Sequence, residues 1–168
     1  MPIDLGRASQ WLMTMNDDVW VRHTNPWSGW SRVSILPLLA LAVWSRIWIG
    51  WWALVPLSVV LLWTWLNPRV FPPPASVDNW MSMGVTGERI WLARSQNPAL
   101  AHHAPIVRTL VAAATVGAVL LFAGLVMLNL TLTMTGLAVT MLSKLWILDR
   151  MVWIYSETGG SDKLDLSD

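Results

Sequence analysis

Three histidines and two carboxylates are the side chains of this sequence best suited to chemistry near neutral pH. They are His23, Glu88, His102, His103 and Asp149. Imidazole and carboxylate groups bind transition metals and exchange protons in general acid–base catalysis. All five are therefore candidate catalytic residues, and the three histidines are candidate metal ligands. The adjacency of two histidines does not by itself predict a shared metal, because neighbouring side chains point in different directions on most backbones.

Composition excludes several other kinds of site. There is no cysteine, so disulfides, thiolate nucleophiles, iron–sulfur clusters and Cys-ligated zinc are all excluded. The formal net charge is +1 and the eleven Lys and Arg are scattered singly, so we expect no nucleic-acid partner. The sequence also has no Gly-rich phosphate loop and no His-Glu-x-x-His pair. It leaves the identity of any cofactor unknown.

Two long apolar stretches must position any site. Val33–Leu66 contains one charge, Arg46, and lacks the polar face that a soluble core helix shows at helical spacing. Thr109–Ser143 contains no charged residue. The sequence therefore predicts an all-α, polytopic membrane protein. We expect a single membrane domain over residues 1–155 and a disordered acidic tail over residues 156–168.

Four transmembrane helices are predicted, arranged as two antiparallel hairpins. They cover residues 27–45, 48–66, 108–128 and 131–148, and a cytoplasmic connector covers residues 67–107. The first hairpin turns at Ser45–Gly50 and the second at Asn129. Pro37 and Pro56 predict kinks. The alternative is a re-entrant first hairpin, because the uncharged part of its first arm spans about 20 Å against a membrane core of roughly 30 Å.

Short interfacial helices are predicted outside the hairpins. One carries Asp17 in its first turn and ends before Pro26, because the residue before proline avoids the helical conformation. In the connector, Ser76 is the expected cap of one helix and Thr86 the expected cap of the next. The connector is too rich in tryptophan for a free linker, so we expect it to pack on the bundle or on the membrane surface.

The basic residues predict the orientation. Of the eleven Lys and Arg, only Arg46 falls in a hairpin turn. The positive-inside rule therefore places both termini and the connector in the cytoplasm, for a multi-pass protein of a bacterial or archaeal inner membrane. Most of the 14 tryptophans then mark the two membrane surfaces, as interfacial anchors do.

This topology gathers a polar cluster at the cytoplasmic membrane surface. Besides the five candidates above, it contains Asn25, Arg32, Asn67, Arg69, Arg89 and Arg150. The simpler interpretation is that the arginines pair with Glu88, Asp149 or lipid phosphates, while the histidines cap backbone ends. The other is a His/carboxylate metal site or a catalytic site. A transporter or channel is disfavoured, because no ionisable residue lies at membrane depth.

A face of small residues offers a different kind of site. Ala113, Gly117 and Gly124 recur at four- and seven-residue spacing, the pattern that lets membrane helices approach closely. With the Trp-rich surface, it favours a protein that binds a lipid-like ligand, another membrane protein or a second copy of itself. The lipid bilayer is the remaining expected partner. A membrane-surface enzyme or metal protein is the alternative function.

Four motifs resemble those of a family of small bacterial and archaeal integral membrane proteins described as a domain of unknown function. The motifs are R-H-x-N-P-W-S, N-P-R-x-F-P-P-P, G-E-R-x-W-L and L-D-R-M-V-W, found here at Arg22–Ser28, Asn67–Pro74, Gly87–Leu92 and Leu148–Trp153. The resemblance covers roughly residues 18–155. It implies that the membrane-surface polar residues are recurring features, and it brings no activity or cofactor.

Overall fold

The computed structural model describes residues 17–93 and 97–159, and every regular element within them is a helix. The α-helices are α1 (Asp17–His23), α2 (Pro26–Val33), α3 (Ile35–Trp44), α4 (Arg46–Ile49), α5 (Leu54–Val70), α6 (Trp80–Leu92), α7 (Ala104–Met127) and α8 (Leu130–Glu157). Two 3₁₀-helices cover Gly50–Ala53 and Pro98–His103. The chain divides into two compact units. Among the described residues, the first contains 17–29, 68–93, 97–104 and 148–159, and the second contains Trp30–Asn67 and Pro105–Ile147.

Three of the described helical runs are long and apolar enough to cross a membrane. They are Pro26–Val70, Pro98–Met127 and Leu130–Glu157. Helix α7 has 24 residues and α8 has 28, which give about 36 Å and 42 Å of helix against a membrane core of roughly 30 Å. The described part of the chain is therefore all-helical and has the helices of a membrane protein, as the composition predicts.

The second unit contains the end of α2, all of α3 and most of α5. Asn67 on α5 is fully buried, and its Nδ2 donates a hydrogen bond to Ser31 Oγ on α2 at 2.7 Å. Ala40 on α3 packs with Leu121 and Leu125 of α7 in a buried cluster. Trp44 Nε1 donates to Thr133 Oγ1 at 3.2 Å, so a polar bond joins α3 to α8.

Helices α7 and α8 approach closely within the same unit. A Cβ atom at Gly117 would lie 2.6 Å from Thr140 Oγ1, and one at Gly124 would lie 2.7 Å from Thr133 Oγ1. From the other side, a Cβ atom at Gly136 would lie 2.6 Å from the Cα of Leu121. The glycines therefore let the two backbones meet where any side chain would hold them apart.

The first unit packs α6 against the chain around α1 and against the end of α8. Ser82 Oγ donates a hydrogen bond to the carbonyl of Thr24, and Trp80 Nε1 donates to Asp149 Oδ1 at 3.1 Å. A Cβ atom at Gly87 would lie 2.6 Å from the carbonyl carbon of Met151. This unit therefore depends on one glycine contact of the same kind as those in the second unit.

The first hairpin turn is longer than predicted. It runs from Arg46 to Ala53, and the second arm begins at Leu54 rather than at residue 48, because Gly50 has φ 55° and interrupts the helix. Pro56 falls in the first turn of α5, where its missing N–H has no partner to lose. The chain breaks between α2 and α3 ahead of Pro37, whose ring cannot accommodate the carbonyl four residues earlier.

Two other predicted boundaries are wrong. Helix α5 continues through Asn67 and Pro68 to Val70, because the contact of the buried Asn67 side chain outweighs the hydrogen bond that proline removes. In the connector, α6 is one helix rather than two. Its cap is Asn79, whose side chain accepts a hydrogen bond from the N–H of Ser82 at 2.9 Å.

Ser76 and Thr86, the two residues expected to cap connector helices, do not cap a helix. Ser76 Oγ accepts from the N–H of Asp78 in the turn before the helix. Thr86 is buried inside α6, with 2% of its surface exposed. Asn79 therefore caps α6, and local sequence alone does not distinguish it from Ser76 and Thr86.

The end of the chain also differs from the prediction. Helix α8 runs to Glu157 rather than ending at residue 148, so the first two residues of the expected disordered tail are helical. Residues 160–168 lie outside the described part of the chain. Helix α1 (Asp17–His23) ends before Pro26, as predicted. The second turn lies at Leu128–Asn129, also as predicted, and Asn129 Oδ1 accepts from the N–H of Leu132.

Candidate metal-binding site

A 3₁₀-helix presents the two adjacent histidines. It covers Pro98–His103, and Asn97 caps its start by accepting a hydrogen bond from the N–H of Ala99 at 3.2 Å. The rings of His102 and His103 lie 4.1 Å apart between centroids, at an angle of 36°. The 3₁₀ backbone therefore places the two imidazole rings side by side, although adjacent side chains usually point in different directions.

The orientation of His102 leaves one ring nitrogen available. Its Nδ1 lies 2.8 Å from the carbonyl oxygen of Ala99. A carbonyl only accepts, so Nδ1 must carry the proton and donate it. In the neutral ring, Nε2 then has a free lone pair. A backbone carbonyl that fixes the tautomer in this way is the usual support of a metal-bound histidine.

Glu157, the last residue of α8, completes the group. Its Oε2 lies 3.3 Å from His102 Nε2 and 3.0 Å from His103 Nε2. One ligand atom from each of the three residues lies within 4.8 Å of the others. His103 is buried, with 2% of its side chain exposed, whereas His102 and Glu157 are 60% and 42% exposed. The group therefore has one buried wall and one side facing solvent.

A single proton explains the hydrogen bond within this group. A carboxylate oxygen accepts, so His103 donates from Nε2 to Glu157 Oε2 at 3.0 Å. His102 Nε2 lies 3.3 Å from the same oxygen, and no hydrogen bond joins these two atoms. A divalent cation at this place would replace the shared proton and could also accept the lone pair of His102 Nε2.

The donor set indicates which metals fit. Two imidazole nitrogens and one carboxylate oxygen suit zinc and similar transition metals, which accept mixed nitrogen and oxygen ligands. Magnesium and calcium prefer oxygen alone. Among residues 17–93 and 97–159, no other group of three histidine or acidic side chains converges in this way.

The other catalytic candidates lie elsewhere. His23 is buried on α1, and its ring packs edge-on against Trp20 with the centroids 5.6 Å apart. Asp149 accepts a hydrogen bond from Trp80, and Glu88 is exposed on α6. Of the five candidate catalytic residues, His102 and His103 lie beside each other in the converging group.

Several members of the predicted polar cluster have contacts of their own within each unit. Asn25 Nδ2 donates to the carbonyl of Pro72 at 2.9 Å, and Asn67 is bonded to Ser31. The carbonyl of Arg69 accepts from Arg22, and the guanidinium of Arg150 lies 4.9 Å from the ring centroid of Trp153. Arg32 and Arg89 are half-buried. The helix-packing residues Gly117 and Gly124 face α8 of the same chain, and Ala113 is half-buried on α7.

Glu157 is the member of this group that the sequence analysis does not predict. The sequence places it in the expected disordered acidic tail, where a carboxylate has no defined position. A signal was present, since Met151, Ile154 and Tyr155 recur at the spacing of one helix face, and all three are buried. That spacing predicts a helix continuing to the end of this stretch, which would have placed Glu157 on an ordered element.

Comparison with known proteins identifies a family. The match is to the Family of unknown function (DUF6653), over residues 7–167. The chain belongs to this family. The resemblance to a family of unknown function is thereby confirmed. No curated protein and no solved structure matches the chain. Since DUF6653 carries no assigned activity, the geometry of the site is the guide to function.

Proposed function

We propose that this protein binds a divalent transition metal of the zinc class through His102, His103 and Glu157. The convergence of three ligand atoms within 4.8 Å of one another carries the proposal. The tautomer of His102 supports the proposal. Because Nδ1 carries the proton, the lone pair of Nε2 is available to a metal ion. The protein would thus be a metal protein of the membrane surface rather than an apolar scaffold alone.

Zinc binding by the purified full-length chain tests this proposal. The protein, in maltoside micelles and stripped with a chelator, is titrated with zinc against a competing indicator dye. We expect one ion per chain. His102→Ala and Glu157→Gln should each weaken binding by at least about tenfold, since even residues that only support a ligand contribute that much. Both side chains are partly exposed, so neither change should disturb folding.

Glu88→Gln is the matched control, because it removes an exposed carboxylate from a helix outside the site. Its affinity for zinc should equal that of the unaltered protein. Equal zinc affinity in the unaltered protein, His102→Ala and Glu157→Gln would overturn the proposal. A loss confined to those two variants would support it.

We also propose that the chain crosses the membrane four times. The run Pro26–Val70 turns back at Arg46–Ala53, and the guanidinium of Arg46 donates to the carbonyls of Leu125 and Val126, the latter at 3.0 Å. These carbonyls lie in the last turn of α7. The tip of the first hairpin therefore reaches the far end of a 24-residue helix, which supports a full crossing over a re-entrant loop.

The lipid bilayer is the partner we propose for the turn Arg46–Ala53. Trp48, Trp51 and Trp52 are 69%, 87% and 75% exposed there, and Arg46 is the only charged residue of the turn. Exposed tryptophans beside the ends of apolar helices are typical of the interfacial belt. With the distribution of basic residues, this favours an inner-membrane protein with both termini and the connector in the cytoplasm.

Cysteine labelling tests this topology, and the absence of native cysteine means that each label reports one position. In intact cells, an impermeant maleimide should label Trp51→Cys and Leu130→Cys. It should label Ser76→Cys and Ser156→Cys only after the cells are opened. Labelling of Trp51→Cys and Ser76→Cys from the same side would contradict the four crossings.

A further inference from the structure

We infer that a metal held by His102, His103 and Glu157 keeps one coordination position open to a small anion from water. This inference rests on the proposed metal site and names what that site would bind. The residues supply one ligand atom each. Zinc is usually four-coordinate, and three protein ligands with a fourth position for water or substrate is the arrangement of reactive rather than purely structural zinc sites.

The neighbours of Glu157 do not fill the fourth position. The hydroxyl of Ser156 donates to the carbonyl of Val152 at 3.0 Å, so it is directed back along its own helix. The hydroxyl of Thr158 lies 2.8 Å from the carbonyl of Ile154 and is likewise used within the chain. Among the described histidine and acidic side chains, the converging group ends at three.

Burial shows from which side a ligand would arrive. His103 is 2% exposed and forms the inner wall of the site. His102 and Glu157, at 60% and 42% exposed, form its solvent side. A molecule reaching the metal would therefore approach from water between these two side chains, without displacing packed residues.

Charge indicates which class of molecule would bind. Two neutral imidazoles and one carboxylate leave a divalent ion with net positive charge. Such an ion would attract anions, and it would make a bound water more acidic than bulk water. A small anionic donor such as azide or acetate would replace that water.

Cobalt substitution tests the open position separately from the metal site. Co²⁺ replaces Zn²⁺ in such sites, and its visible absorption depends on the number and kind of its ligands. The full-length protein in maltoside micelles is loaded with Co²⁺ and then titrated with azide. We expect a visible band on cobalt addition and a saturable shift of that band with azide.

The variants assign these signals to the site. The cobalt band should be lost in His102→Ala and in Glu157→Gln. In Glu88→Gln, both the band and its shift with azide should be retained. A cobalt band that azide leaves unchanged would overturn the open position while leaving the metal site intact. No band at any cobalt concentration would overturn the metal site and, with it, this inference.

Discussion

Gly136→Ala is the substitution whose effect follows most directly from the packing of α7 and α8. The new methyl group would lie 2.6 Å from the Cα of Leu121 and 2.8 Å from the carbonyl oxygen of Gly117. Both atoms belong to the backbone of α7, so no side-chain rotation relieves the overlap. The methyl group would lie closer still to the backbone nitrogen of Leu121, so the two helices must separate by about 1 Å before ordinary van der Waals contact is restored.

Two opposing effects set the magnitude. Alanine is favoured over glycine in a helix by about 1 kcal/mol, which would stabilise the protein. Overpacking typically costs about 1–3 kcal/mol, and the upper end applies here because backbone rather than side chain must move. The net loss in the free energy of unfolding is then about 2 kcal/mol. For a chain of this size, that lowers Tm by roughly 4–8 °C.

Thermal unfolding of the purified protein in maltoside micelles measures this effect. The control is Ala138→Leu, which adds a larger side chain two residues further along α8 at an exposed position. Its Tm should stay close to that of the unaltered protein, because surface substitutions usually change stability by less than about 0.5 kcal/mol. A Tm for Gly136→Ala equal to or above the unaltered value would refute the close approach of the two helices.

Three further predictions concern the first unit. Gly87→Ala should lower the free energy of unfolding by about 2 kcal/mol, because its methyl group would meet the backbone of α8, whereas Gly84→Ala, facing a flexible leucine side chain, should cost less in the same thermal assay. Trp80→Phe should cost about 1 kcal/mol by removing the hydrogen bond to Asp149, and Trp80→Phe combined with Asp149→Asn should cost little more than Trp80→Phe alone. Zinc should raise the Tm of the unaltered protein, and this rise should vanish with chelator, in Glu157→Gln and at acid pH, because protons compete for the imidazole nitrogens.

Apolar composition predicts the broad architecture well. The uncharged stretches before and after Asn129 can only be helices in a membrane, since lipid offers no partner for open backbone groups. Helix boundaries are less predictable. Asn67-Pro68 is a strong local signal to stop, yet a buried contact with Ser31 extends the helix through it. Asn79 is chosen over Ser76 as a cap because tertiary packing decides which residue meets the first buried turn.

The sequence predicts two of the three residues of the candidate site, His102 and His103, but not Glu157. His102 and His103 stand out as a pair of titratable groups, but their convergence depends on the 3₁₀ backbone that Asn97 and Pro98 begin. The carboxylate beside them is 54 residues from His103, on a helix that extends beyond the boundary predicted at residue 148. His23 and Asp149 are equally plausible by type, and the structure places each of them in contact with a tryptophan.

The long separation between His103 and Glu157 has a consequence for a chain without cysteine. A metal ion bridging them would close a loop of 54 residues, containing α7 and most of α8, and so restrict the unfolded chain as a disulfide does. Such a cross-link forms without an oxidant and is undone by a chelator. The resistance of this hairpin to unfolding would therefore follow the supply of metal in the surrounding cell compartment.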